Sequence, residues 1–319
     1  MPCCLAASSH ARLLRVSDSC PTLLCQESGA PNSPPCSLAL VRSVLVTGAS
    51  TGIGRATALR LDGSGWRVFA GVRKEADAES LRGEASPNLV PVILDVTDPE
   101  QIAAAAESIE RETDGGRLDG LVNNAGVAVP GPLETIPLED LRHQLEVNLI
   151  AYVAVTQAML PLVRRAEGRI VFLASIGGRI AFPFGGPYHA SKFATEAIGD
   201  VFRQELRPWG IEVAIIEPGS IDTPIWGRGQ DKAAEIEARS PRTNLLYGAA
   251  IAKFRKVIED TAERGIPPEK VAKAISHALE SKRPKTRYLV GLDAKAQARI
   301  QPFIPTRLFD RIVARQLNL

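Results

Sequence analysis

Ser43-Val44-Leu45-Val46-Thr47-Gly48-Ala49-Ser50-Thr51-Gly52-Ile53-Gly54 carries a short apolar run straight into a glycine-rich turn. That junction decides the fold. Gly48 allows a tight exit from a strand, Gly52 lets backbone approach a pyrophosphate, and Gly54 lets a helix pack close to the sheet. A helix opening here offers free N–H groups and the positive end of its dipole to an anion, so Ser50, Thr51 and Ile53 join the three glycines as cofactor-binding candidates. The spacing is G-x-x-x-G-x-G, not the better-known G-x-G-x-x-G. Glycines alone would say little; the strand before them and the helix after them carry the reading.

Outward from the turn, apolar strand-like runs recur at 43–47, 67–72, 89–94, 118–122, 169–174, 211–216 and 287–291. Helical stretches lie between them near 52–62, 75–82, 99–112, 138–164, 188–207 and 268–281. Strands regularly separated by helices imply right-handed crossovers and a parallel sheet covered on both faces. The pattern predicts one α/β domain over residues 41–292, a doubly wound, Rossmann-type, seven-stranded parallel sheet with helices on both faces. Residues 221–266 form a long insertion before the last strand and read as a mobile lid over a substrate. In residues 293–319, apolar and basic positions alternate at helical spacing around Leu308, Ile312 and Arg311. Such a stripe is expected to pack on its own domain or on a partner subunit, with contact to a membrane surface as the alternative.

All five cysteines fall within the first 36 residues, and the remainder has none. A disulfide-stapled fold would spread them through the body, so a reducing, cytoplasmic compartment is expected. Residues 1–40, with scattered prolines and no periodicity, read as disordered or as a non-native extension from start-site choice. A formal net charge of +2 calls for neither nucleic acid nor a polybasic membrane anchor. No metal site is indicated.

The second strand ends Val72-Arg73-Lys74. An acid there would hold the ribose 2′-hydroxyl of NAD; here the strand ends in two cations. The planar fork of Arg73 suits a 2′-phosphate, which favours NADP(H), with NAD(H) as the alternative. In the plainer reading Arg73 and Lys74 are solvated turn charges.

Three further stretches complete a set: Asn123-Asn124-Ala125-Gly126 after the fourth strand, Ser175 after the fifth, and Tyr188-His189-Ala190-Ser191-Lys192 beyond it. With Asn148 on the preceding helix and Pro218-Gly219 after the sixth strand, the chain resembles the short-chain dehydrogenase/reductase family over residues 42–292. Within it, the hydroxysteroid and retinol dehydrogenase-like branch is the most similar. A free phenol has a pKa near 10 and is a poor base at neutral pH. Residues i and i+4 share a helix face, so Lys192 can lie beneath the Tyr188 ring and favour its phenolate. Tyr188 could then exchange a proton with a carbonyl or alcohol while hydride moves to or from a nicotinamide. Ser175 would polarise the substrate oxygen.

The resemblance implies further roles. Asn148 would hold a water that positions Lys192, and Asp95 with Val96 would meet the adenine. Asn123, Ala125 and Gly126 would border the adenosine ribose. Backbone after Pro218-Gly219, through Ile221, with Thr223 would contact the nicotinamide amide. Taken singly, each residue has a plainer role: Ser175 in a turn, Asn148 or Asp95 as a cap, the double Asn as a bend. His189 is expected to point away from the chemistry. Apolar residues near the catalytic face (Phe182, Phe184, Trp226, Leu245, Leu246, Tyr247) suggest a bulky, mostly apolar substrate, and the apolar Tyr188 helix a homodimer or homotetramer. The competing reading is a catalytically silent cofactor-binding scaffold or redox sensor.

Overall fold

The structure, a computed structural model, describes residues 41–319. The segment 1–40, with all five cysteines, lies outside the described residues. Seven strands run in parallel: β1 (Ser43–Val46), β2 (Arg67–Val72), β3 (Leu89–Ile93), β4 (Gly120–Asn123), β5 (Arg169–Leu173), β6 (Glu212–Pro218) and β7 (Arg287–Val290). Their order is β3-β2-β1-β4-β5-β6-β7. The chain therefore winds outward from β1 one way, then crosses back to β4 and winds the other way. β1 and β4 are neighbours from which the chain winds in opposite directions, and the carboxyl ends of such a pair are where sheets of this kind bind ligands.

Both sheet faces are covered because alternate residues of each strand are apolar in both directions. Val44, Val46, Val68, Ala70, Val122 and Val171 share one core with Ala58 and Leu61 of α1 (Gly52–Asp62), Leu81 of α2 (Glu75–Arg82), and Val271 and Ile275 of α9 (Glu269–Glu280). Their strand neighbours Leu45, Phe69, Leu121, Ile170 and Phe172 form the opposite core. It contains Ile102 of α3 (Pro99–Glu112), Val155 and Met159 of α5 (Ala151–Ala166), and Phe202 of α6 (Gly186–Glu205).

Two helical stretches depart from the sequence pattern. The helix expected over 138–164 is α4 (Leu138–Leu145), a π-helical turn at Glu146–Ile150, then α5. An i→i+5 turn leaves no trace in hydrophobic spacing, and such turns concentrate at functional sites. Leu138–Ala166 is long and apolar enough to cross a membrane, but half of its most apolar 18-residue window is buried inside the fold. The helix expected over 188–207 begins two residues earlier, at Gly186.

The insertion is two helices, α7 (Ile225–Arg239) and α8 (Pro241–Glu263), and its base is closed by a parallel bridge between Ile221 and Ile266. Asp140 on α4 holds α7 through Lys232 at 2.8 Å and Arg239 at 2.5 Å. The tail forms α10 (Leu292–Ile300) and α11 (Thr306–Leu317). Val313 and Leu317 of α11 are buried with Ala250 and Ile251 of α8 and with Phe184, so one side of the tail packs on its own domain.

Candidate active site

The glycine turn is drawn tight by side chains from β1 and β4. The Thr47 hydroxyl accepts the N–H groups of Asn124 (2.9 Å) and Ala125 (3.1 Å). The Asn124 amide donates to the carbonyls of Thr47 (2.8 Å) and Gly48 (3.1 Å). Gly48 and Gly52 adopt φ of +66° and +55°, a region that L side chains rarely enter. A Cβ on Gly54 would lie 2.2 Å from the Gly48 carbonyl oxygen, so only glycine lets the helix start so close to the turn. Thr51 caps α1 without a side-chain hydrogen bond. The first N–H groups of the helix are thus left for an anion. Thr223 closes the far side: a Cβ on Gly52 would meet its methyl at 3.0 Å.

The turn thus fits a dinucleotide pyrophosphate. Arg73 and Lys74 stand exposed just past β2, and neither is ion-paired with a described residue. Asp95 lies beyond β3 and accepts both the N–H (2.9 Å) and the hydroxyl (2.7 Å) of Thr97. Burial pushes its carboxyl up, but the Thr97 bonds and the nearby Arg73 charge outweigh it and hold the group below its usual range. Val96 beside it is buried.

Further along the carboxyl edge of the sheet, Ser175 follows β5, and its hydroxyl accepts the Gly177 N–H at 3.1 Å and reaches the Pro218 carbonyl at 3.5 Å. Gly177 lets α6 approach: a Cβ there would lie 3.2 Å from the Tyr188 ring and 3.0 Å from His189. Burial raises the Tyr188 phenol, and the Ser175 hydroxyl acts the other way without reversing it. Lys192 is 4% exposed. Its ammonium donates to the Leu173 carbonyl at 2.7 Å and lies 5.8 Å from the Tyr188 ring centroid. Burial pushes it down to about 7, while the carboxylate of Glu196 opposes the fall. Tyr188, Ser175 and Lys192 therefore converge as the i, i+4 spacing requires.

Three more of the singled-out residues are fixed by hydrogen bonds of their own. The side chain of Asn148, in the π-helical turn, accepts the Val127 N–H at 2.9 Å and donates to the Val127 carbonyl (3.0 Å) and Ser191 (3.2 Å). It braces the loop after Gly126 against α6, and its backbone carbonyl accepts from Thr195 at 3.4 Å. The Asn123 amide turns into the core and donates to Thr156 at 2.9 Å, leaving Asn124 to secure the glycine turn. His189 points away, with Nδ1 2.9 Å from the Gly177 carbonyl.

Two residues at the site carried no signal in the sequence. Asp293, opening α10, accepts the Ser220 N–H at 2.7 Å, and a Cβ on Gly219 would lie 2.3 Å from its carboxylate. It therefore fixes the Pro218-Gly219-Ser220 loop. Arg228 of α7 donates to the Thr51 hydroxyl at 3.3 Å, placing a cation beside the glycine turn. Both come from segments more than 170 residues along the chain from that turn's strand, beyond any local pattern.

Residues 42–234 match the model of the short chain dehydrogenase family. The NADPH-dependent 3-dehydrocapnine reductase of Ornithobacterium rhinotracheale is 36% identical over 283 residues, covering 87% of this chain and 98% of the relative. The 17-beta-hydroxysteroid dehydrogenase type 6 of Bos taurus is 41% identical over 281 residues, covering 85% and 87%. A solved short chain dehydrogenase of Burkholderia cenocepacia J2315, in complex with NADP, aligns with a TM-score of 0.63 at 27% identity, over 87% of this chain and 98% of that one. With the glycine turn, the parallel sheet and the Ser175, Tyr188 and Lys192 cluster in these places, this chain belongs to the short chain dehydrogenase family of oxidoreductases.

Proposed function

We propose that the chain interconverts a ketone or aldehyde and the corresponding alcohol on a bulky, mostly apolar substrate of steroid, retinoid or lipid type, with NADP(H) as the preferred cofactor. The observation that carries this reading is the convergence of a protonated phenol, a hydroxyl and a buried cation at the carboxyl end of the sheet. A dinucleotide held by its pyrophosphate at the glycine turn would supply or accept hydride through its nicotinamide. Tyr188, held neutral by burial, donates its proton to the substrate oxygen in reduction and takes it back in oxidation. Ser175 donates a hydrogen bond to that oxygen as charge develops. Lys192, anchored on the Leu173 carbonyl, favours the phenolate that remains.

The preference for NADP(H) is supported by the unpaired Arg73 and by the cofactor named for the Ornithobacterium relative. Support for an apolar substrate comes from an open hollow of about 270 Å³ beside Gly186 at the start of α6, lined by Leu133, Phe182, Phe184, Tyr247 and Leu319 with Glu134 at its edge. Ile150, Phe193 and Val201 are large and exposed on the helices flanking the site, which favours a homo-oligomer. A screen of NADPH oxidation over ketones and aldehydes, from small polar compounds to sterols and retinoids, tests the reading. Tyr188→Phe should bind NADPH yet lose turnover; a Tyr188→Phe chain with wild-type turnover refutes the mechanism. Absence of turnover on every carbonyl would favour the silent scaffold.

A further inference from the structure

The glycine turn from Thr47 to Gly54 contains no cation, although a pyrophosphate would bring negative charge to it. Arg55, next along the chain, is already committed: it pairs with Glu84 at 2.9 Å and donates to the Ser80 hydroxyl at 3.1 Å. An uncommitted cation reaches the turn from 177 residues downstream. Nη2 of Arg228, in the first turn of α7, donates to the Thr51 hydroxyl at 3.3 Å. Of the three cations on α7, Lys232 and Arg239 are taken by Asp140 and Glu235, whereas no described carboxylate pairs with Arg228.

The packing of α7, rather than the long bond to Thr51, sets the place of Arg228. Trp226 Nε1 donates to the Ile221 carbonyl at 2.7 Å, beside the bridge between Ile221 and Ile266. Ile236 is buried with Val129 and Ile136. Gly229 is buried against the loop after Gly126, where a Cβ would make ordinary contact with Ala128 at 3.8 Å. Thr223 and Pro224, just before the helix, would lie 3.0 Å and 3.8 Å from a Cβ on Gly52. So α7 starts beside the residue at which backbone approaches a pyrophosphate. The Arg228 guanidinium meanwhile spends one donor on a neutral hydroxyl, through a bond longer than the usual N–H···O distance. A phosphate oxygen would hold the same group more tightly.

We propose that Arg228 is a cofactor-binding residue: the insertion supplies it as a cation for the pyrophosphate held at the glycine turn. It exchanges its bond to Thr51 for charge-assisted bonds to a pyrophosphate oxygen. Because α7 is already docked, binding orders one side chain and not a whole segment. NADPH and NADH share the pyrophosphate, so Arg228 adds affinity without choosing between them, and that choice stays with Arg73 past β2. By linkage, what the dinucleotide gains from Arg228 also steadies the first turn of α7. This rests on the reading of Gly48–Gly54 as a dinucleotide site.

Arg228→Gln keeps a donor for Thr51 and removes the charge. The full chain is titrated with NADPH and NADH by fluorescence, and with ADP-ribose by displacement of NADPH. All three should bind the variant about ten-fold more weakly than the wild-type chain, the cost of one charged bond to phosphate. Unchanged affinities overturn the proposal. A loss confined to NADPH overturns it too, because Arg228 would then meet the 2′-phosphate, and so does a loss that spares ADP-ribose, which has no nicotinamide. A wild-type chain that binds none of the three overturns the dinucleotide site and the role of Arg228 with it, whereas equal binding by both chains removes Arg228 alone. A second measurement needs no variant. Amide exchange of the wild-type chain should slow over residues 225–232 when ADP-ribose is bound, and unchanged exchange there overturns the proposal.

Discussion

Replacing Gly54 by alanine should cost both stability and cofactor affinity, and the geometry sets the scale. The new Cβ would lie 2.2 Å from the Gly48 carbonyl oxygen, 2.5 Å from the Asn124 amide nitrogen and 2.9 Å from the Gly48 carbonyl carbon. Two of those three atoms are backbone in a turn fixed by hydrogen bonds, so a rotamer change cannot relieve the contact. Overpacking of this kind costs about 1–3 kcal/mol, here at the upper end. Displacing Asn124 also breaks its bonds to Thr47 and Gly48, at about 1 kcal/mol each. Alanine returns up to about 1 kcal/mol of helix propensity, leaving a net loss of about 4 kcal/mol. The N–H groups of α1 move with the turn. Losing one or two charge-assisted bonds to a phosphate weakens NADPH binding by about ten- to hundred-fold. Urea unfolding and NADPH fluorescence titration measure the two effects. Gly248→Ala is the control: it lies in α8 with nothing within 4 Å of the added carbon, and should be neutral or stabilising. A Gly54→Ala chain with wild-type unfolding midpoint and NADPH affinity refutes the cradle.

Asp293→Ala should leave the Ser220 N–H without its partner and loosen the Pro218-Gly219-Ser220 loop, and NADPH binding should weaken about ten-fold. Asp293→Asn, which keeps an acceptor, should lose less, and fluorescence titration of both variants separates the two. Asp140 is pushed up by burial but held below its usual range by Lys232 and Arg239. Its stabilising effect on α7 is therefore present above the ordinary carboxylate pKa and fades as pH falls through the depressed one. Amide exchange in α7 should quicken on such acidification, and Asp140→Asn should show fast exchange already at neutral pH; identical rates would discard the anchor. Arg73→Glu should shift the NADPH-to-NADH ratio of kcat/KM toward NADH by about ten-fold or more. An unchanged ratio would make Arg73 a solvated turn charge.

The sequence by itself determined the architecture, because the signals involved are local. Alternating apolar runs and helical spacings specify strands and crossovers residue by residue, and Gly48 to Gly54 name the turn where β1 ends. The i, i+4 relation of Tyr188 and Lys192 is likewise a property of any helix, so their meeting was legible before the fold. Tertiary structure decided what depends on contacts distant in sequence. Which asparagine braces the glycine turn depends on β4 lying beside β1, and the answer is Asn124, with Asn123 facing Thr156 in the core. The π-helical turn that sends the Asn148 side chain to Val127 has no counterpart in hydrophobic period. The two helices of the insertion, masked by their many charges, are held at α7 through Asp140, and the docking of the tail is decided by Phe184, Val313 and Leu317. Most of all, Glu196, Glu217 and Arg287 read as scattered surface charges along the chain. Only the order β5-β6-β7 sets them side by side, with Arg287 3.1 Å from Glu196 and 3.4 Å from Glu217.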